Sequence, residues 1–393
     1  QGQLLLEESW LGFTWEGVFD GHSPPIVGTG PYMVTEDIYD QWTSGAIELV
    51  PNPECWLADS EGLTPRYDRI ELRSYDDPTA IAFALETGEI DVADAGCEFA
   101  GAASEDDTLY VSDALCCTGD LVSMEFSGVE DQGNLIRMDP LVRQAMAAAV
   151  DREAIVEECY GGFAVEGSSL VSPVFGVWHY EAPADDEMSY DPDAAEEALD
   201  SAGYVFTTES PTVRVASSAS LAVTEGWVAE GSPLSFSLVV LSRYVPEYAG
   251  IVDRVTATLA EVGIDVQYSV SSVVILPMYS GEWYELCPPL YSEDMVLARR
   301  HYIPDPHALL FTQSSGAYGQ ITNNWYADPA YDSAFDSSAS EMDPDTRLSL
   351  ALEAQRIQYD DVSYIVLAYP KETLVANFDL EEEFGNWTSD PGL

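Results

Sequence analysis

Arg299 and Arg300 are the only adjacent basic pair in the chain. Two guanidinium groups can grip a carboxylate or another anion through paired N–H donors. They could equally form surface ion pairs with the many acids around them. His301 could touch a ligand or anchor its loop by a hydrogen bond. His301 and His307 are six positions apart, a spacing that suits neither one helix face nor a usual zinc site. Tyr302 and Trp325 offer flat rings of the kind that wall sites for sugars and peptide side chains, with core packing as the alternative. No HExxH, GxSxG or P-loop pattern occurs, and His22, His179, His301 and His307 are scattered. Carboxylate pairs that could mimic a glycosidase dyad are expected everywhere among 70 acidic residues, so they carry no information. The residues point to binding rather than catalysis, and neither a cofactor nor a metal is expected.

The charge balance narrows the partners. Seventy acidic residues face fourteen basic ones, for a formal net charge of −56, and Lys371 is the sole lysine. No basic patch exists to neutralise phosphates, so a nucleic-acid partner is excluded. The aromatic content of 11% and nine tryptophans contradict a disordered acidic tail. The simplest reading is a halophilic protein with an acidic surface, whose self-repulsion is screened by concentrated salt. The six cysteines, Cys55, Cys97, Cys116, Cys117, Cys159 and Cys287, leave any disulfide connectivity open. They could equally be small buried thiols.

The elements that must position these residues are α/β in type. A chain of 393 residues with 46% hydrophobic content has enough apolar material for more than one core. No apolar run is long enough to span a membrane, and the opening Gln1-Gly2-Gln3 has no basic or apolar leader. Asp-Pro precedes periodic apolar runs at Asp77-Pro78, Asp139-Pro140, Asp191-Pro192 and Asp343-Pro344. Aspartate caps free amides in the first turn, and proline loses nothing at the first helical position. These starts predict helices ending near Gly88, Gly161-Gly162 and Gly203, and one from Pro344 towards Tyr359. A further helix is predicted over about 247–262, then a strand at Ile264–Tyr268, and a buried strand at Ile365–Tyr369.

Read in order, several segments resemble family-5 extracellular solute-binding proteins of ABC transporters, the oligopeptide, dipeptide and nickel cluster. They are Val27-Gly-Thr-Gly-Pro-Tyr32, Asn52-Pro-Glu-Cys-Trp56, Arg69-Ile-Glu-Leu-Arg73, Asp77-Pro-Thr-Ala80 and Gly88-Glu-Ile-Asp-Val92. Val142-Arg-Gln-Ala-Met-Ala-Ala-Ala-Val-Asp-Arg152 and Tyr190-Asp-Pro-Asp-Ala-Ala195 follow. Gly263-Ile-Asp-Val266, Pro304-Asp-Pro306, Asn324-Trp325, Asp328-Pro-Ala-Tyr-Asp332 and Ala354-Gln-Arg356 keep the same order.

The resemblance implies a two-lobed, type II periplasmic-binding-protein-like α/β fold with a hinge. By resemblance the first lobe covers 1–127 plus a returning tail of 366–393, and the second covers 128–365. Family members carry a longer segment before the VGTGPY turn. Only 26 residues precede Val27 here, so an incomplete first lobe is expected. The implied function is extracellular capture of a small solute, such as a peptide or oligosaccharide, and its delivery to ABC permease subunits. In the full-length protein the chain would be tethered to the outer face of the cell membrane. The alternative is a scaffold repurposed as an extracellular structural or interaction protein. Family peptide binders hold the ligand's amine with an acid before a PDP segment, and aligning that segment puts Tyr302 at the acid's place. Cys97 and Glu98 follow the GEIDV strand, where the family reaches its cleft. Asn386-Trp-Thr388 is a glycosylation sequon, consistent with export.

Overall fold

A computed structural model describes residues 30–34, 45–55, 65–75, 78–94, 96–112, 115, 119–128, 133–183, 188–241, 245–271, 293–300, 307–317 and 326–378. The Asp77 cap, the Asn386 sequon, Cys116, Cys117 and Cys287 lie outside the described residues. The chain divides into two units, residues 1–89 and 90–393.

In the first unit, β1 (Tyr32–Val34), β2 (Ala46–Pro51) and β3 (Ile70–Arg73) form an antiparallel meander. The helix predicted after Asp77 is α1 (Pro78–Glu86). Its Ala84 and Leu85 are buried, as the apolar stripe requires, and Gly88 follows at φ 69°.

The second unit holds two sheets that matter for function. The smaller has the order β4-β14-β5, from β4 (Val92–Asp94), β5 (Tyr110–Val111) and β14 (Leu374–Ala376). Helix α2 (Gly96–Ala103) packs on β14. The larger sheet has six strands: β6 (Leu121–Phe126), β7 (Ala164–Glu166), β10 (Ser235–Leu241), β11 (Asp265–Ser271), β12 (Met295–Arg300) and β13 (Tyr364–Pro370). Their order is β11-β10-β12-β6-β13-β7; β10 is parallel to β11 and β12, and the other pairs are antiparallel. A two-stranded pair, β8 (Tyr204–Val205) with β9 (Val215–Ala216), stands apart.

Both faces of β6 and β13 are covered, so these strands alternate between two cores rather than between core and water. Val122, Met124, Phe126, Met295, Leu297, Ile365 and Leu367 join one core. That core includes α3 (Pro140–Ala149), α5 (Pro192–Ser201) and α6 (Val245–Glu261). Leu121, Tyr364, Val366 and Tyr369 join the other. It includes α7 (His307–Phe311), α8 (Pro329–Ser340) and α9 (Pro344–Asp361). Every residue of β13 is buried.

The Asp-Pro starts hold where they are described. Asp139 accepts from the Leu141 amide at 3.0 Å, Asp191 from Ala194 at 2.9 Å and Asp343 from Thr346 at 2.9 Å. Asp328 caps α8 in the same way. After α3 the chain leaves helical geometry at Val150, and Asp151 restarts it as α4 (Arg152–Tyr160).

The Val142–Arg152 segment is a set of ties. Arg143 donates to the carbonyls of Arg137, Met138 and Asp361. Gln144 reaches the Asp360 carbonyl, and Arg152 reaches Val366. Arg137, Arg143, Arg152, Arg214 and Arg300 are all buried. Much of this chain's scarce positive charge thus serves the interior, where a planar fork of five donors satisfies several acceptors at once.

Two passages of chain join the two sheets. One runs from β5 to β6 and the other from β13 to β14. They are tied side by side, with Leu115 bridged to Lys371 and the Ser112 amide donating to the Leu374 carbonyl at 2.9 Å.

Candidate functional site

The rim where β12 ends and β6 begins carries the paired arginines. Arg299 lies opposite Val122 and Arg300 opposite Leu121. Strand alternation sends neighbouring side chains to opposite faces, so the two guanidinium groups do not form one clamp. Arg299 shares the face of Met295 and Leu297. Its Nε and an Nη lie 2.9 and 2.6 Å from Asp120 Oδ2. The Asp120 side chain is 1% exposed and that of Arg299 is 26% exposed, so the pair presents its cationic half at the surface. Burial works against the Arg299 charge, but Tyr248, Asp120 and Tyr160 hold its pKa above the ordinary guanidinium value.

Arg300 turns into the sheet. Its Nε donates to Glu125 Oε1 at 2.7 Å, an Nη meets the other carboxylate oxygen, and Tyr364 Oη lies at 2.8 Å. Ser123 Oγ adds a bond to Glu125 at 3.3 Å. Burial pushes the Glu125 carboxyl upward in pKa, and the Arg300 charge opposes it. Arg300 is thus committed to a buried ion pair, while Arg299 stands at the rim.

The last turn of α4 borders the same rim. Tyr160 is within electrostatic reach of Arg299. Its neighbour Cys159 meets a residue from the smaller sheet's helix: Cys97 Sγ lies 3.9 Å from the Cys159 carbonyl. The structure therefore brings Cys97, far away in sequence, to the end of α4. Glu98 has its backbone in α2, and its side chain lies outside the described residues. His301, Tyr302 and Trp325 also lie outside them. His307 begins α7 and stacks on Phe335 with centroids 4.7 Å apart. Among the described residues, no cluster of three His, Cys, Asp or Glu is placed to hold a metal.

Sequence reasoning did not single out Asp120, Tyr160 or Tyr248. Nothing local marks Asp120 among 70 acids; its role depends on a strand 179 residues away. Tyr160 carried a weak signal, as the last residue before the Gly161-Gly162 helix stop.

Comparison with known proteins bears on this arrangement. The family model for bacterial extracellular solute-binding proteins, family 5 (middle) matches residues 15–337. A Brucella ovis protein, named for ABC-transporter peptide binding, is 27% identical over 290 residues, which is 73% of this chain and 46% of that protein. The chain spans about half the length of the curated relatives it matches. A periplasmic oligopeptide-binding protein from Thermotoga maritima superposes with a TM-score of 0.73 at 17% identity, covering 94% of this chain and 66% of its own. NikZ from Campylobacter jejuni, in complex with Ni(L-His), gives 0.66 at 20% identity, covering 95% and 66%. At such identities the solved structures speak for the fold, which is the two-lobed α/β architecture of periplasmic binding proteins.

Proposed function

The chain belongs to the bacterial extracellular solute-binding proteins of family 5, and from that premise we propose that it captures a small polar solute outside the cell and hands it to an ABC-type permease. A peptide is the first solute class to test, since the Brucella ovis relative is named for peptide binding. Oligosaccharides and similar molecules are the next. The reading has no catalytic step. The permease subunits are its only macromolecular partners, and the full-length protein would be held at the outer face of the membrane.

The observation that carries the reading is the pair of tied passages between the sheets, Ser112 with Leu374 and Leu115 with Lys371. A joint of a few residues in two adjacent strands can absorb backbone rotation while the sheets on either side move as bodies. In this reading the lobes divide at those passages, 112–120 and 371–373, rather than at 127/128 and 365/366 as the resemblance implies. Arg299 then serves as a ligand contact. His301 and Tyr302 follow it directly in the chain, and Trp325, Cys97 and Glu98 complete the proposed contacts. Arg300, also read as a contact from sequence, instead supports the strand from within.

The test is mass spectrometry of small molecules released when the protein, purified in concentrated salt, is denatured. A stoichiometric peptide or sugar supports capture. No released molecule, together with no heat signal on titration with peptide and oligosaccharide mixtures, overturns it.

A further inference from the structure

Cys97 and Cys159 belong to helices of different sheets. Cys97 is the second residue of α2, which packs on β14 of the smaller sheet. Cys159 is the penultimate residue of α4, which packs on β7 and β13 of the larger one and on α6. Both are thiols in this structure, and both are partly exposed. Cys97 Sγ reaches to 3.9 Å from the Cys159 carbonyl oxygen. The Cys159 sulfur lies over Gly250 of α6, where an added Cβ would stand 3.2 Å from it. A glycine there leaves the sulfur space to change position.

We propose that Cys97 and Cys159 form a disulfide in an oxidising medium, and that this bond staples α2 to α4 across the two passages that join the sheets. The oxidant is a low-molecular-weight disulfide. The Cys97 thiolate attacks one of its sulfurs, forming a mixed disulfide and releasing one small thiol. The Cys159 sulfur then attacks Cys97 Sγ, and the second small thiol leaves. One S–S bond breaks and one forms. The two electrons and the two thiol protons end on the small molecule, now two thiols. Burial and the neighbouring Glu158 push the Cys159 thiol pKa upward. That makes Cys159 a poor first nucleophile, so the exchange opens at Cys97 and the second attack draws on the thiolate fraction of Cys159 held beside it.

The bond would fix the angle between the two sheets at one edge while leaving the chain passages intact. The linkage itself does not depend on the solute reading. Its consequence, slower solute exchange in the oxidised protein, does rest on that reading, so the two are measured separately.

The experiment equilibrates the folded chain with oxidised glutathione in concentrated salt, blocks the remaining thiols, and maps the peptides without reduction. The chain has six cysteines, so the map must identify partners rather than count thiols. The expected result is one cross-linked peptide pair containing Cys97 and Cys159, absent from both Cys97→Ser and Cys159→Ser. A melting temperature about 5 °C higher in the oxidised protein should accompany it and vanish in Cys97→Ser. The map of the unsubstituted chain decides the matter even if a variant folds poorly. Cys97 and Cys159 recovered as blocked thiols, as separate glutathione adducts, or paired with other cysteines would overturn the proposal.

Discussion

Arg152 Nε donates to the Val366 carbonyl at 2.9 Å, from a residue 214 positions away, where the pairing of β13 with β6 slips register between Val366 and Ala368. A bulge leaves backbone groups without ladder partners, and in a fully buried strand those groups need a donor from elsewhere. Arg152 supplies it and also donates to the carbonyls of Ala147 and Met188. Gly167 closes the other side of the bulge, where a Cβ would stand 2.4 Å from the Val366 oxygen. Replacing Arg152 by Met should lower the unfolding free energy by about 3 kcal/mol, because buried acceptors lose their donor. Replacement by Lys should recover only part of it, since one ammonium cannot span the same acceptors. Denaturant unfolding in concentrated salt measures both, and a wild-type midpoint for Arg152→Met would show that the bulge is held by other means.

The adjacent arginines should respond differently to the same substitution. Arg300→Ala strands the Glu125 carboxylate in the interior, at a cost of about 3 kcal/mol. Arg299→Ala removes a partly exposed guanidinium and takes this ion-pair partner from the buried Asp120 carboxylate, so some stability is lost here too. Its distinguishing effect should fall on binding, with affinity for the released solute reduced about tenfold, or ~1.4 kcal/mol. Calorimetric titration and thermal melting of both variants separate the roles. Equal losses of stability with unchanged affinity would remove Arg299 from the site.

The scaffold was legible because its signals are local. Asp139-Pro140, Asp191-Pro192 and Asp343-Pro344 each announce a helix start through atoms within three residues. The split between Arg299 and Arg300 was legible in principle too, once 295–300 is read as a strand, because alternation alone separates them. The ion pairs were not legible. Asp120 with Arg299 and Glu125 with Arg300 join residues 179 and 175 positions apart through strand register. Register depends on the whole sheet, and nothing near Asp120 or Glu125 in sequence sets them apart from the other acids. The meeting of Cys97 with Cys159 is hidden for the same reason.

His179 gives the second unit a pH dependence of definite sign. Its Nδ1 lies 2.5 Å from the Val171 carbonyl and 3.1 Å from Ser169 Oγ, and its ring packs edge-on to Tyr369. Burial pushes its pKa below the ordinary imidazole value, with the Val171 carbonyl and Glu181 pulling the other way. The unfolded chain therefore binds this proton at a higher pH than the folded one. Its contribution to stability is full above about pH 6.5 and is lost as the pH falls through and below that value. His179→Asn keeps an N–H donor and removes the titration. Denaturant midpoints from pH 7.5 to 5 should fall less steeply for the variant than for the wild type. Parallel curves would assign the acid sensitivity elsewhere.

The net charge of −56 makes the salt series the broadest test of how this chain stays folded. Arg137 with Asp294, Arg143 with Asp361 and Arg300 with Glu125 are largely removed from water, so screening changes them little. The surplus carboxylates have few cations to meet, because Arg137, Arg143, Arg152, Arg214 and Arg300 are buried. What salt can change is the mutual repulsion of acids at the surface, whose range shrinks from about 8 Å at 0.15 M to about 3 Å at 1 M. We expect the melting temperature to climb steadily between 0.15 and about 2 M potassium chloride as that repulsion is screened. Arg300→Ala should track the wild type in parallel, displaced downward at every salt concentration, since the interaction it removes is not screened. A melting temperature independent of salt would mean that the acidic surface does not oppose folding and would end the halophilic reading. A displacement of Arg300→Ala that closes at high salt would mean that the Glu125 pair is open to water.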